Sequence, residues 1–473
     1  MPPEYDLFAY ARSSITAPAG CGKTQIIADT LTMHRGPKPV LVLTHTNAGV
    51  TALRLRMQRG NVPASAYRIA TLDGFAMRLV AMFPMRSGLA ADVLELRNRA
   101  DDYPAIRLAA NQLIVSGHIH DSLAATYAFL IVDEYQDCNI VQHAFVTALA
   151  AVLPTCVLGD PMQAIFGLGD NVVVDWNAHV LQQFPQIGEL NQPWRWINAR
   201  AEPFGRWLLE CRQTLQAGGN IDLRQIPPQV TWIRLQDATA RRQRAAAAMT
   251  PALTATGQVL VIADSQNSRG RHEMARQTHG ATTVEPVELG DLIAFGAAFD
   301  LQAGMALTLL VNFAASVMTQ VSPSTLVPRL ASLLRGTARN PPSPAELALQ
   351  TFAEAPSYPR ASDALRALQT QRDARVFRPD VFYGCLRALQ MAGSGTCSFA
   401  EATARERERN RHNSRPLARR AIGSTLLLKG QEAEVAVVLN PESMNAKHLY
   451  VAMTRGAAHL VICSETPVLI PRP

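Results

Sequence analysis

The chain has 473 residues, which is long enough for two or more domains, each with its own hydrophobic core. Hydrophobic residues make up 48% of it and charged residues 18%, a composition that excludes a disordered chain. The formal net charge of +7 is compatible with a polyanionic partner but does not require one.

Cysteine usage and hydropathy exclude several further classes. The seven cysteines include no CxxC pair and no Cys/His cluster at metal-ligand spacing, so we expect neither disulfides nor a zinc site. The first residues, MPPEYDLFAY, lack a basic stretch before an apolar run, so a signal peptide is not expected. The most apolar region, 292–318, is interrupted by Asp300, Gln302 and Asn312, which favours a buried helix pair over a membrane span. These features predict a cytoplasmic protein with no membrane contact.

Short apolar runs recur along the chain, with helical patterns such as 25–33 and 50–58 between them. Continuous Val/Ile/Leu runs without alternation are typical of parallel strands that are buried on both faces. The sequence therefore predicts an α/β fold. The runs expected to form strands are 40–46, 129–134, 156–160, 258–264, 423–430, 434–440 and 459–465.

Two stretches depart from this pattern and are predicted to be helical insertions into two strand-rich cores. Residues 85–125 are mixed helix and loop, and residues 291–415 are Ala/Leu-rich helix. The charged end of the second stretch, EATARERERNRHNSRPLARR, has two interpretations, a solvated helix face or a contact with nucleic-acid phosphates. The predicted segments are 1–84 and 126–200 for the first core, 85–125 for its insertion, 201–290 and 416–473 for the second core, and 291–415 for its insertion.

The segment APAGCGKT, residues 17–24, fits the phosphate-binding pattern G-x-x-x-x-G-K-[ST] with alanine in the first position. Glycines let backbone amides turn toward phosphates, Lys23 adds a positive charge, and the Thr24 hydroxyl can ligate Mg²⁺. Alone, this loop does not distinguish a kinase, a switch, a transporter or a motor. The residues predicted to contact the nucleotide here are Ala17, Pro18, Ala19, Gly20, Cys21, Gly22, Lys23, Thr24 and Gln25.

The segment FLIVDEYQDC, residues 129–138, supplies the carboxylates that a phosphate loop needs at the end of a neighbouring strand. Asp133 is predicted to hold Mg²⁺, and Glu134 to act as the general base on the attacking water. Two acidic residues that cap a strand would explain the DE pair alone. They would not explain the full DEYQD pattern after an apolar strand.

With these two segments, the chain resembles the superfamily 1 DNA helicases of the UvrD/Rep type, in a compact form. Seven segments follow the motif order of that family from the phosphate loop onward. The resemblance covers both cores but not the insertions, and it implies two RecA-like cores with ATP and Mg²⁺ between them. After the phosphate loop the segments are LTHTNAGVTALRLRM (43–57), ATLDGFAMRL (70–79), DEYQDC (133–138), GDPMQAIFG (159–167), LNQPWRW (190–196), TLLLKGQEAEVAVVL (425–439) and LYVAMTRGAAHLVI (449–462).

The resemblance also implies roles for single residues. Gln163 would sense the γ-phosphate, and Arg195 and Arg455 would act as arginine fingers. Glu432 would contact the nucleotide from the second core, and Trp194 would stack on the adenine. The residues implied to contact DNA are Thr44, His45, Thr46, Asn47, Thr71, Asp73, Phe75 and Phe166. Histidine at position 45 replaces the phenylalanine usual in the family.

Two functions follow from the resemblance. One is an ATP-dependent motor that moves 3′ to 5′ on single-stranded DNA, or on DNA with a single-stranded tail, and unwinds it. The other is a DNA-stimulated ATPase that acts as sensor or regulatory subunit for a partner nuclease, as in bacterial anti-phage systems. The family's glutamine before the phosphate loop is absent from residues 1–16, which leaves the choice of ATP over other nucleotides open.

Overall fold

A computed structural model describes residues 4–96, 98–167, 172–412 and 417–472. The chain divides into two compact units. Unit 1 comprises Met1–Thr231, Glu442–His459 and Pro467–Pro473. Unit 2 comprises Trp232–Pro441 and Leu460–Thr466. The segment that contains Arg455 therefore packs with unit 1, although it follows unit 2 in the chain.

The strands are short, as expected for an α/β protein. Within the described residues they are β1 (Arg12–Thr16), β2 (Val40–Thr44), β3 (Tyr67–Thr71), β4 (Phe129–Val132), β5 (Thr155–Gly159), β6 (Gln186–Glu189), β7 (Ile221–Asp222), β8 (Val230–Arg234), β9 (Val259–Ile262), β10 (Ala281–Thr283), β11 (Arg420–Gly423), β12 (Ala433–Val438), β13 (Gly456–Ser464) and β14 (Val468–Leu469).

Helices connect the strands and build two larger inserts. In the same ranges they are α1 (Lys23–Met33), α2 (Asn47–Arg59), α3 (Leu72–Met82), α4 (Pro84–Ser87), α5 (Arg99–Val115), α6 (His120–Thr126), α7 (Ile140–Leu149), α8 (Leu181–Gln183), α9 (Trp194–Asn198), α10 (Glu202–Gln216), α11 (Ala240–Ala248), α12 (Ser268–Gln277), α13 (Gly290–Ala298), α14 (Ala306–Val317), α15 (Pro323–Leu334), α16 (Pro344–Glu354), α17 (Tyr358–Gln369), α18 (Pro379–Gly393), α19 (Phe399–His412) and α20 (Ala446–Met453).

Unit 1 is built on a six-stranded sheet in the order β3-β2-β4-β5-β1-β6. All five ladders of this sheet are parallel. Every residue of β2, β4 and β5 is buried, because helices cover both faces of the sheet. The helical insertion α4–α6 lies between β3 and β4, and its apolar face joins one of the two clusters that make up the core of this unit.

The second sheet has the order β10-β11-β9-β12-β13-β8, and its ladders β10–β11, β11–β9 and β9–β12 are parallel. Between β10 and β11 the chain forms the seven helices α13–α19, which enclose an apolar cluster of their own. The predicted fold class is confirmed: the protein is α/β, with two cores built on parallel sheets and a helical insertion in each.

Six of the seven predicted strands coincide with observed strands, and the seventh is wrong. Residues 423–430 were expected to form a strand, but the strand β11 ends at Gly423 and the chain then turns. Gly430, at φ 78°, lies in the left-handed region that favours glycine. The run Leu426–Leu428 belongs to this turn and does not pair in the sheet. Its apolar character fits a buried turn, in which Leu428 is fully buried.

The apolar region 292–318 forms α13 and α14, which confirms the expected helix pair. Within the four ranges that the structure describes, no helix combines the length and the apolar character needed to cross a bilayer.

Candidate nucleotide-binding site

The predicted site residues of unit 1 follow the carboxyl ends of its strands. Because the sheet is parallel, these ends meet at one edge, where ligands of α/β proteins bind. The phosphate-loop segment follows β1, the DEYQD segment follows β4, and the GDPMQ segment begins at the end of β5. The parallel topology therefore assembles a site from segments that are more than a hundred residues apart.

The phosphate loop has the backbone that its glycines permit. Gly20 and Gly22 have φ values of 70° and 91°, a region that favours glycine. A Cβ on Gly20 would lie 2.5 Å from Cζ3 of Trp196, and one on Gly22 would lie 3.0 Å from Cδ1 of Trp194. Helix α1 begins at Lys23, directly after this turn, so its N-terminal amides face the loop.

Ala17, Cys21 and Gln25 of the phosphate-loop segment have different surroundings. The N–H of Ala17 donates to the carbonyl of Gly159 over 2.8 Å, which fixes the loop to the end of β5. Burial raises the pKa of the Cys21 thiol to about 12, so this side chain is neutral and unreactive near neutral pH. The Gln25 side chain points away from the loop, donating to Asp29 over 2.7 Å and accepting from Arg56 over 3.1 Å.

Lys23 lies between the two predicted carboxylates. Its Nζ is 2.9 Å from Oδ1 of Asp133 and 2.5 Å from Oε1 of Glu134. Burial alone would lower the pKa of Lys23, but the two carboxylates outweigh burial and raise it. Burial raises the pKa of Asp133, and the charge of Lys23 opposes that effect. The structure thus brings together the cation, the metal-ligand carboxylate and the base that the sequence predicts.

A chain of hydrogen bonds leads from Glu134 to Gln163. Nε2 of Gln136 donates to Oε2 of Glu134 over 2.6 Å, and the backbone N–H of Asp160 donates to Oε1 of Gln136 over 3.0 Å. Nε2 of Gln163 then donates to Oδ2 of Asp160 over 3.0 Å. Gln136, Asp160 and Gln163 are all buried, so these bonds are made away from bulk water.

Arg212 of α10 completes this network from the side. Its Nε and Nη2 donate to Oδ1 of Asp160 over 3.1 and 3.0 Å, and its Nη1 donates to Glu189 over 2.9 Å. Arg212 is 4% exposed and Asp160 is fully buried. A buried carboxylate requires such a partner, because an isolated ion in the interior is strongly disfavoured.

Helix α9 packs against the phosphate loop. The N–H of Arg195 donates to the carbonyl of Gly20 over 3.0 Å, and Nη1 of Arg195 donates to the carbonyl of Thr454 over 2.7 Å. Trp196 is buried, whereas Trp194 beside Gly22 is 44% exposed. Trp194 therefore keeps a free face next to the loop, as a ring that stacks on a base requires.

The segment around α20 also borders the phosphate loop within unit 1. The hydroxyl of Tyr450 accepts a hydrogen bond of 3.1 Å from the backbone N–H of Ala19. Arg455 is buried and donates to the carbonyl of Val451 over 2.8 Å and to Oγ1 of Thr454 over 3.0 Å. Glu432, the other residue implied for the second core, is exposed and belongs to unit 2.

Four of the residues implied to contact DNA lie where the chain leaves the sheet edge. The rings of His45 and Phe166 are stacked, with centroids 6.2 Å apart and planes inclined by 25°. Thr46 and Asn47 are exposed, and the Thr46 hydroxyl caps α2 by accepting from the N–H of Gly49 over 3.0 Å. Thr44 differs from them because it is fully buried at the end of β2.

The other three residues implied to contact DNA, Thr71, Asp73 and Phe75, make contacts within unit 1. The Thr71 hydroxyl caps α3 by accepting from the N–H of Gly74 over 3.0 Å. Asp73 forms a two-bond ion pair with Arg107, with both N–O distances 2.7 Å. Phe75 is 2% exposed and packs in the core, so its ring offers no face to a base in this structure.

Sequence reasoning did not single out Gln136, Asp160, Arg212 or Tyr450. The first two and Tyr450 stand inside quoted motif segments, so a signal was present in DEYQD, GDPMQ and LYVAM. Arg212 had no such signal, because it lies on an amphipathic helix outside every motif. Only its burial against Asp160 separates it from the many exposed arginines of the chain.

These residues fit a bound nucleoside triphosphate and a divalent cation. The positive-φ turn at Gly20 and Gly22 leads directly into the N-terminus of α1, where backbone amides and Lys23 offer positive charge to an anion. The Asp133 carboxylate and the Thr24 hydroxyl are hard oxygen donors of the kind that Mg²⁺ prefers.

The fold and the site define a P-loop protein with a parallel α/β core. Residues 91–170 match the model of the UvrD/REP helicase N-terminal domain, and this range contains the DEYQD and GDPMQ segments. Both segments are among the seven that resemble motifs of the UvrD/Rep-type helicases. No curated protein sequence matches the chain.

Two solved helicase structures are similar to the chain at low scores. One is an arterivirus nonstructural protein 10 (helicase) in a complex with DNA, with a TM-score of 0.35, 9% identity, and coverage of 97% of this chain and 62% of that one. The other is the PRRSV helicase, with a TM-score of 0.34, 12% identity, and coverage of 97% and 53%. The chain thus spans less than two thirds of either helicase, and scores in this range do not establish a common fold.

Proposed function

We propose that the chain is an ATP-dependent motor that moves 3′ to 5′ along single-stranded DNA. ATP would be hydrolysed between its two RecA-like cores. The observation that carries the proposal is the position of Lys23 between Asp133 and Glu134. This set of one cation and two carboxylates beside a phosphate loop suits phosphoryl transfer, which depends on positioning and on charge stabilisation.

The roles of the residues follow from their placement. Lys23 would move from the carboxylates to the β- and γ-phosphates. Glu134 would then accept a proton from the attacking water. Thr24 and Asp133 would hold Mg²⁺, which supplies positive charge to the phosphates when bound. Trp194, with its exposed face beside Gly22, would stack on the base.

The link to DNA is proposed to run through the loop after β5. Gln163 is hydrogen-bonded into the nucleotide site, and Phe166, three residues later, stacks with His45. A base that stacks on an aromatic ring gains about 1–3 kcal/mol without sequence preference, which suits a motor. We therefore propose His45, Thr46, Asn47 and Phe166 as the DNA contacts of unit 1, and assign Thr44, Thr71, Asp73 and Phe75 to its framework.

The test is ATP turnover with and without oligo(dT), followed by displacement of streptavidin from oligonucleotides biotinylated at the 3′ or the 5′ end. We expect DNA to stimulate turnover, and streptavidin to be displaced from the 5′ end only. Lys23→Ala should abolish turnover. Lys447→Ala, which changes an exposed lysine of α20, is the matched control and should not.

Each alternative gives a different result. DNA-stimulated turnover without displacement of streptavidin or of a paired strand would indicate the sensor or regulatory subunit of a partner nuclease. Displacement from the 3′ end would reverse the proposed direction. If neither single-stranded DNA nor RNA stimulates turnover, the motor proposal fails. Equal turnover with GTP would remove the assignment of ATP as the specific nucleotide.

A further inference from the structure

Arg212 makes more contacts than it would need to neutralise the charge of Asp160. Its Nε and Nη2 both reach the same oxygen of Asp160, and Nη1 is held by Glu189, whose side chain is 46% exposed. Because the guanidinium is planar, three fixed donors determine its orientation completely. These bonds, together with one from the N–H of Met162, fix the position of Oδ1 of Asp160.

Asp160 is an inner member of the hydrogen-bond chain that leads from Glu134 to Gln163. Its Oδ1 accepts from the N–H of Met162 over 3.1 Å, and its Oδ2 accepts from Nε2 of Gln163 over 3.0 Å. Its own N–H donates to Gln136, which donates to Glu134. A rotation of this carboxylate would disturb Gln163, whereas the bond to Gln136 is made by the backbone N–H of Asp160 and would persist.

We propose that Arg212 is a positioning residue for nucleotide hydrolysis, which fixes the Asp160 carboxylate so that Gln163 stays in its working orientation. The inference rests on the proposed function of this site. Arg212 touches neither nucleotide nor metal in this role. It acts only through Asp160, and no motif of the sequence contains it.

A purely structural role makes a different prediction. If Arg212 only neutralised a buried charge, replacing the pair by neutral residues would restore both stability and turnover, as neutral replacements of buried ion pairs often restore stability. In Asp160→Asn/Arg212→Met the amide can accept from Met162 with its oxygen, but its NH₂ group then faces the NH₂ group of Gln163. Gln163 must turn its amide over to pair with it, so stability should recover while turnover stays low, which would show that neutralising the buried charge is not sufficient for turnover.

The experiment is a mutant cycle on kcat and KM for ATP at saturating oligo(dT). Arg212→Met should lower kcat at least about tenfold and change KM less than about threefold, because the loss affects positioning and not nucleotide binding. Gln163→Ala should lower kcat similarly, and Arg212→Met/Gln163→Ala should be no slower than Gln163→Ala alone. Arg206→Met is the control, since Arg206 lies on the same helix in an exposed pair with Glu202.

Three results would overturn the inference. These are multiplicative losses in the double variant, full turnover in Asp160→Asn/Arg212→Met, and a change confined to KM. If Arg212→Met does not fold, Arg212→Lys takes its place in the same cycle, because lysine keeps the charge but not the planar fork.

A readout without turnover separates this inference from the proposed function. Hydrogen exchange of the Asp160, Met162 and Gln163 amides should be faster in Arg212→Met than in Arg206→Met. If wild type shows no DNA-stimulated turnover, the motor proposal fails while the exchange experiment still decides the role of Arg212. Equal exchange in the two variants would contradict it.

Discussion

The backbone N–H of Ala19 donates a hydrogen bond of 3.1 Å to the hydroxyl of Tyr450, which is 431 residues further along the chain. Both groups are buried. Burial raises the pKa of Tyr450 well above its ordinary value, so the hydroxyl is neutral at physiological pH. Helix α20 therefore fixes the first turn of the phosphate loop through one hydroxyl oxygen.

Removing this hydroxyl should destabilise unit 1. In Tyr450→Phe the N–H of Ala19 stays buried without its acceptor, which costs about 1–3 kcal/mol. Four of the five tryptophans, Trp176, Trp194, Trp196 and Trp207, lie in unit 1, so denaturation followed by tryptophan fluorescence reports on this unit. Tyr10→Phe, at an exposed tyrosine, should change the unfolding free energy by less than about 0.5 kcal/mol. Equal stability of Tyr450→Phe and wild type would show that the bond contributes nothing.

The sequence predicts those parts of the site that follow from the order of the strands, and it does not predict contacts between side chains that are distant in the chain. Lys23, Asp133 and Glu134 were predicted together because they follow buried strands, and parallel strands align their carboxyl ends. The Ala19–Tyr450 bond was not predicted, since nothing local relates two residues so far apart. Strand β11 was misplaced because periodicity alone does not distinguish a buried turn from a buried strand.

The residues implied by resemblance show a second limit. Motif position alone does not reveal whether a side chain faces solvent or the core. Phe75 and Phe166 were both expected to contact DNA, but Phe75 packs in the core while the half-buried Phe166 stacks with His45. Burial is a property of the assembled fold, so the structure was needed to separate the two.

Glu134→Gln tests the proposed base. The substitution keeps the shape of the side chain and removes the charge that accepts the proton. Lys23 keeps its ion pair with Asp133 at 2.9 Å, so the cradle should persist. We expect a fluorescent ATP analogue to bind with wild-type affinity within about threefold, and turnover to fall about 10²–10⁴-fold.

The control for this substitution is Glu202→Gln, at a half-exposed glutamate of α10 paired with Arg206. It should leave both binding and turnover unchanged. Turnover above a tenth of the wild-type rate in Glu134→Gln would assign the base to another residue.

Arg455→Ala tests the proposed arginine finger. A finger stabilises charge that develops during phosphoryl transfer, so its loss should lower turnover about 10³–10⁵-fold with little effect on nucleotide affinity. Arg455 is buried and donates to Val451 and Thr454, so the unfolding free energy must be measured alongside. The control is Arg472→Ala, at an exposed arginine of unit 1. Weaker binding with normal turnover at saturating ATP would contradict a finger role.

The last prediction concerns pH and the pair Tyr135–His143. The Tyr135 hydroxyl lies 2.8 Å from Nδ1 of His143. Burial raises the pKa of Tyr135 well above its ordinary value, so this hydroxyl keeps its proton and requires an unprotonated acceptor. Burial, and then the neighbouring His179, lower the pKa of His143 below its usual 6.5. Protonation of His143 would turn its Nδ1 into a second donor facing the hydroxyl.

The sign of the pH effect follows from this direction. Unfolded His143 binds its proton near pH 6.5 and folded His143 binds it only at lower pH, so acid favours the unfolded state. The contribution of His143 to stability is fully present above pH 6.5 and is lost as the pH falls below that value, at no more than about 1.4 kcal/mol per pH unit.

Denaturation followed by tryptophan fluorescence from pH 7.5 to 5 should show this loss. His143→Gln should reduce the slope, and His118→Gln, at an exposed histidine, should not. His459, whose pKa burial also lowers, leaves a residual slope in unit 1. Identical slopes in His143→Gln and wild type would exclude His143 as the titrating group.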